Sequence, residues 1–303
     1  MPWSNFTAPN MGLLVYKRLY TERQILGITE YKSPLGSEKE KLFINIPQNA
    51  KSTPFDEFYK DLFEKTLNGC TQIENEAAGN KFHLKTTYPG LLCGTGYTHD
   101  SNAKGDIKIG FYFDHTTGQP VIPGSSIKGV LKSMFENEQD KTDESSILAF
   151  QFFIKEIMEA ETSTDEKQRW QNIFQKFKND KNGIKDLDFL KQSIFGTQDK
   201  EGEDIFFDAV IHIKQTGKNK KFIASDFITP HPNPLKNPTP LMFLKVLPEV
   251  TFEFRFCLKK YSCGSITITS DQKTQLFKKI LLTIGIGAKT NVGYGQFVSQ
   301  NTK

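Results

Sequence analysis

Ile280–Phe297 reads ILLTIGIGAKTNVGYGQF. A helical apolar pattern runs into four glycines, Gly285, Gly287, Gly293 and Gly295, with Lys289 and Thr290 among them and an aromatic strand after. The segment GAKT invites a reading as the end of a phosphate-binding P-loop. Such a loop needs Gly directly before the Lys and a second Gly five residues earlier, where this chain has Ala288 and Thr283. The order of elements is also reversed. P-loop and dinucleotide-binding glycines precede their helix, so that its free N-terminal amides face the phosphates; here the glycines follow the helix. Nucleotide hydrolysis is therefore excluded. A helix cap and a tight turn explain Gly285 or Gly287, but four glycines in eleven residues exceed what a cap needs. Close passage of the backbone past a ligand, with Lys289 on a phosphate, is the other reading, and both stand.

Upstream, Val250–Leu258 alternates strictly. Val250, Phe252, Phe254, Phe256 and Leu258 share one face, and Thr251, Glu253, Arg255 and Cys257 the other. Strands are also expected at Ile205–Lys214, Phe222–Ile228, Leu241–Leu247 and Gln296–Ser299. The helix that ends in the glycines should be capped by Ser270. Strands that follow one another without intervening helices predict an α+β fold, an antiparallel sheet with helices on one face, over a doubly wound parallel one.

A second motif runs the other way, from loop into helix: Pro120–Glu136, PVIPGSSIKGVLKSMFE. Ser125 or Ser126 can cap this helix, and Ile127, Val130, Leu131, Met134 and Phe135 form its buried stripe. Free amides, two hydroxyls and Lys128 make a candidate anion site; an ordinary Ser cap is the plainer alternative. Gly129, inside a helix, costs ~1 kcal/mol against Ala and predicts close approach by another backbone.

Elsewhere, Phe55–Leu67 has the spacing of an amphipathic helix, and Phe82–Tyr88 and Ile107–Phe113 read as strands. Glycines in Gly90–Gly96 predict close backbone approach. Residues 1–54 read as an N-terminal arm with proline-rich loops, and 137–193 as a helical insertion within a single domain spanning 1–303.

The chain has 39 basic and 35 acidic side chains, a net charge of +4, so nucleic-acid binding would need a local patch. Its 26 phenylalanines serve either a core or stacking on bases. The four cysteines form no C-x-x-C pair and the five histidines are scattered, so no metal or cofactor is expected. His83, His99 and His115 show no catalytic partners in sequence. No signal peptide or membrane span is read, and the expected location is cytoplasmic.

With IPGSSIKGVLK, Ile194-Phe195-Gly196 and GIGAKTNVGYGQF in view, the chain resembles the RAMP superfamily of CRISPR-associated proteins. Within it, the pattern Gly285–Phe297 and Gly94-Thr95-Gly96 is similar to the sixth Cmr subunit of type III-B effector complexes. The resemblance implies an RRM-like (ferredoxin-like) core and a non-catalytic role holding the 3′ part of the guide (crRNA). Its implied neighbours are the backbone RAMP subunits, the small helical subunit and the first Cmr subunit, with target RNA met through the complex. It implies an RNA-facing set of Gly124, Ser125, Ser126 and Lys128 with Gly287, Ala288, Lys289, Thr290 and Tyr294. Tyr294 either stacks on a base or packs. The superfamily also holds metal-independent RNA-processing endonucleases, so that activity is the alternative.

Overall fold

In the computed structural model the alternating stretch around Phe254 lies inside the main sheet, with paired strands on both sides. The structure describes residues 79–94, 108–114, 118–135, 144–179, 183–212, 222–228, 241–263 and 266–299. The expected arm and the helix at Phe55–Leu67 lie outside them.

In chain order the elements begin with β1 (Asn80–Thr86), β2 (Lys108–Ile109), β3 (Tyr112–Phe113) and β4 (Pro120–Ile122). Four helices follow: α1 (Gly124–Ser133), α2 (Glu144–Ala160), α3 (Thr164–Asn179) and α4 (Gly183–Phe195). Then come β5 (Ile205–Phe206), β6 (Ala209–Ile211), β7 (Ile223–Ile228), β8 (Leu241–Val246), β9 (Thr251–Cys257), β10 (Tyr261–Cys263) and β11 (Ile266–Ile268). The described chain closes with α5 (Ser270–Ile284), a 3₁₀ turn at Thr290–Val292 and β12 (Phe297–Ser299). It is an α+β protein with antiparallel sheets and five α-helices among the described residues.

The main sheet runs β12-β1-β9-β6-β4-β3, with β5 also on β9, and every pair in it is antiparallel. A smaller sheet, β2-β8-β7, contains one parallel pair, β2 with β8. The inward face of β9 makes the core. Phe252, Phe254 and Phe256 are fully buried, Phe82 stacks on Phe254 and Phe256 with ring centres 5.4 and 5.5 Å away, and Phe277 of α5 lies 5.7 Å from Phe256. Burying each such ring is worth up to ~3 kcal/mol, so these rings serve the core. The opposite face of β9 is buried too, at Thr251, Glu253 and Arg255.

Helix α5 starts one residue earlier than expected. Thr269, not Ser270, is the cap, in a reciprocal box: the Thr269 hydroxyl accepts from the Gln272 amide (3.2 Å) and Gln272 Oε1 accepts from the Thr269 amide (3.1 Å). The helical block packs on α5. Trp170 of α3 is buried and donates to Gln275, and Lys279 pairs with Glu156 of α2.

Two expected strands are broken. Ile107–Phe113 divides at Gly110, where the chain crosses from the small sheet to the main one; the Gly110 amide donates to the Leu244 carbonyl, and a Cβ there would lie 2.8 Å from that oxygen. Ile205–Lys214 divides at Phe207-Asp208, although both pieces pair with β9. The hairpin β10–β11 carried no turn signal that sequence reasoning used.

Candidate nucleic-acid interface

The glycine loop after α5 folds back on its own chain. All four glycines have positive φ: 71° at Gly285, 98° at Gly287, 93° at Gly293 and 69° at Gly295. A Cβ on Gly295 would lie 1.9 Å from the Ile286 carbonyl oxygen, and one on Gly287 2.0 Å from the Leu92 carbonyl oxygen. Hydrogen bonds fix these approaches: Ile286 donates to Gly295, Gly295 to Gly90, and Ala288 to Leu92. The glycine surplus thus has an internal cause. Held this way, the loop exposes Gly287, Ala288 and Lys289, with Thr290 half-buried. Lys289 sits in the left-handed region at φ 60°, its carbonyl accepting from the Val292 and Tyr294 amides.

Tyr294 packs. Its ring is 9% exposed, lies against Phe243, and has the Lys245 ammonium 5.6 Å from its centre. Its hydroxyl donates to Asp226 Oδ2 at 2.7 Å, and Lys245 donates to the same oxygen. Burial works to raise the Asp226 carboxyl, but the hydrogen bonds from Lys245, Tyr294 and the Phe227 amide outweigh it and hold Asp226 below the usual carboxylate range. Burial, then the bond to Asp226, push the Tyr294 phenol well up.

At the start of α1 the cap is Pro123, with no side-chain cap bond, so neither Ser125 nor Ser126 fills that role. The Gly124 amide donates to Asp208 Oδ1 at 2.7 Å, and the Ser126 and Ile127 amides go to the Pro123 carbonyl. The break at Phe207-Asp208 supplies that carboxylate, and Gly124 is needed there because a Cβ would lie 2.3 Å from the Phe206 carbonyl oxygen. These amides are therefore spoken for within the chain. Ser125 is exposed, while Ser126 and Lys128 are half-buried. No ion pair involves Lys128 or Lys289 among the described residues. Gly129 is exposed and has nothing within 4 Å of its Cβ position, so the expected close backbone is absent from the described chain.

One segment joins the two motifs. Residues 91–93 bridge both sheets, Leu91 pairing with Val246 and Cys93 with Phe111. The Leu92 carbonyl holds Ala288 of the loop. The Cys93 thiol is pushed up to about 11 by burial, and the neighbouring Ser126 side chain offsets part of that rise. The glycine loop is thus held on Leu92, and the helix start lies beside the next residue, Cys93. The expected close approaches at Gly90 and Gly94 also occur, against the Val246 carbonyl and the Tyr112 ring.

Sequence reasoning missed Tyr88, which is 84% exposed beside the loop, its carbonyl 3.7 Å from the Cβ position of Gly293. Val292, 66% exposed, is its apolar counterpart on the loop. It also gave His83 no partner. The fold supplies two: His83 Nε2 lies 2.9 Å from Glu253 Oε2, and the His83 and His212 rings meet edge-on at 4.5 Å. The His83 hydrogen bond, working against burial, holds the Glu253 carboxyl below its ordinary range. The signal available in sequence was the odd polar face of β9.

The RAMP superfamily model matches residues 83–298, and the chain belongs to that superfamily. It is similar to the CRISPR system Cmr subunit Cmr6 of Pyrococcus furiosus, 31% identical over 206 residues, which is 60% of this chain. The chain spans 58% of the length of that curated relative. In a cryo-EM structure of the type III-B Cmr-beta bound to cognate target RNA, one chain shares this fold with a TM-score of 0.51 at 18% identity, covering 97% of this chain and 91% of that one. A crystal structure of Cmr6 from Pyrococcus furiosus aligns with a TM-score of 0.41 at 24% identity over 75% of this chain and all of that one. No helix among the described residues is long and apolar enough to cross a membrane.

Proposed function

We propose that this chain is the non-catalytic, guide-binding sixth subunit of a cytoplasmic type III-B Cmr complex. It holds the 3′ part of the crRNA, contacts the backbone RAMP subunits, the small helical subunit and the first Cmr subunit, and meets target RNA through the complex. The observation that carries this reading is the meeting of both motifs at residues 92–93, where Leu92 holds the loop and Ser126 of α1 lies beside Cys93, so that Lys289 and the α1 start with Lys128 share one framework. A guide must be held whatever its spacer, so contacts belong on phosphate and sugar, and lysines with no ion pair among the described residues, beside a rigid backbone, suit that task. Strand order β12-β1-β9-β6 with α1 and α5 between strands supports an RRM-like core spanning one domain, with 137–193 as its insertion.

The test is guide retention in the reconstituted complex. Lys289→Ala and Lys128→Ala are each expected to weaken it equally across spacer sequences and to lower the salt slope by about one unit per lost phosphate contact. Spacer-dependent loss would mean that these lysines read bases. No loss, with no RNA crosslinks at either position, would leave a protein scaffold instead.

The hydrogen bond between His83 and Glu253 favours a second reading, metal-independent RNA processing with His83 as general base. Cleavage of repeat RNA in a chelating buffer, abolished by His83→Ala, would establish it. The guide-binding reading expects no cleavage in that assay.

A further inference from the structure

We propose that His83, Glu253 and His212 form a binding site for a divalent transition-metal cation of the zinc, cobalt or nickel class. The three residues stand on one face of three adjacent strands. His83 of β1 is directly opposite Glu253 of β9, and Glu253 is directly opposite Val210 of β6. His212 lies two residues beyond Val210, where its amide donates to the Thr251 carbonyl at 2.8 Å, so it shares that face. Register alone therefore brings together residues that are 129 positions apart (83 to 212) and 41 positions apart (212 to 253).

The ligand atoms all lie within 4.8 Å of one another. Tetrahedral ligands at the bond lengths of zinc sites sit about 3.3 Å apart, so small side-chain rotations close the set around an ion. A purely structural ion pair needs only His83 and Glu253. The second imidazole, edge-on at 4.5 Å, brings a third ligand atom within reach of the other two. Two imidazoles and one carboxylate suit zinc, cobalt or nickel and disfavour magnesium or calcium, which take oxygen ligands. Glu253 is buried, while the His83 side chain is 22% exposed, which leaves a route in and a place for water as fourth ligand. The positive charge of Lys81 also acts on Glu253 and opposes a cation, so binding has to come from the three ligand atoms themselves.

The experiment uses the full-length chain without affinity tag, stripped with chelator. Zinc is titrated calorimetrically and cobalt by visible absorption. The expected result is one equivalent of either ion, with cobalt giving the intense band of a four-coordinate site and zinc raising Tm with the logarithm of its concentration over Kd. His212→Asn and Glu253→Gln are expected to weaken binding at least tenfold. Because Glu253 sits on an inner strand, His83→Gln, at the more exposed ligand, is the safer variant: it is expected to weaken binding to a similar degree while circular dichroism confirms the native spectrum. Failure of the wild-type chain to take up one equivalent would overturn the proposal. So would several weak equivalents that the three substitutions leave unchanged. The readout involves no RNA, so it is independent of the guide-binding reading.

Discussion

The two motifs use glycine in opposite ways. In the loop after α5, Gly285, Gly287 and Gly295 face backbone oxygens of their own chain at distances no Cβ could share. In α1, Gly124 does the same against Phe206, but Gly129 faces open space. The loop is a rigid mount whose exposed groups are set by internal hydrogen bonds, and its glycines are structural. The helix is an ordinary scaffold with one glycine that the described chain does not require. Glycine richness is thus a sign of close backbone approach, but only the coordinates say whether the approaching backbone is internal.

The largest effect should come from breaking the mount. Gly295→Ala places a Cβ 1.9 Å from the Ile286 carbonyl oxygen at a φ of 69°. Positive φ costs ~1–2 kcal/mol for a side-chain-bearing residue, and the forced backbone shift adds ~1–3 kcal/mol. We expect a loss of about 3 kcal/mol, read by denaturant unfolding, together with loss of guide retention. Unchanged stability would mean that the loop is not held as described.

The contrast also shows what the sequence made legible. Alternation located β9 to within a residue at each end, because its period is strict and its inward residues are all large. The helix-then-glycine order of Ile280–Phe297 correctly excluded a P-loop, since α5 does precede the loop. Strand breaks at Gly110 and Asp208 were not legible, because they depend on which sheet each half joins. For the same reason the Asp208 carboxylate on the Gly124 amide was invisible, 84 residues away. Tyr294 was left open between stacking and packing; its partners Asp226, Phe243 and Lys245 come from two strands of the small sheet and decide for packing. The His83–Glu253–His212 cluster is likewise a product of register. Which of the candidate residues touch RNA lies beyond the pattern itself, since both motifs have internal duties.

Tyr294→Phe sharpens the role of the mount at smaller cost. It removes the hydroxyl bond to Asp226 and keeps the ring against Phe243, so ~1–2 kcal/mol should be lost. The pH dependence gives the signature. The folded carboxyl of Asp226 lies below its unfolded value, so its contribution is fully present above the ordinary Asp pKa of about 3.9 and is lost as pH falls through the depressed folded value. The stability difference between wild type and Tyr294→Phe should therefore narrow in acid. A difference constant down to pH 2 would show that the hydroxyl's contribution does not depend on the charge of Asp226.

The smallest shift in stability discriminates most between the two motifs. Gly129→Ala adds a methyl group into open space on an exposed helical position, where Ala is better than Gly by ~0.5–1 kcal/mol. The isolated chain should become slightly more stable, raising Tm, in contrast to Gly295→Ala. If a guide backbone lies against this helix, the same methyl group obstructs it, and retention in the complex should fall while stability rises. That opposite pairing cannot arise from unfolding, since a destabilised variant lowers both. Equal retention with raised stability would place the guide away from α1 and leave Lys289 and the loop as the contact surface.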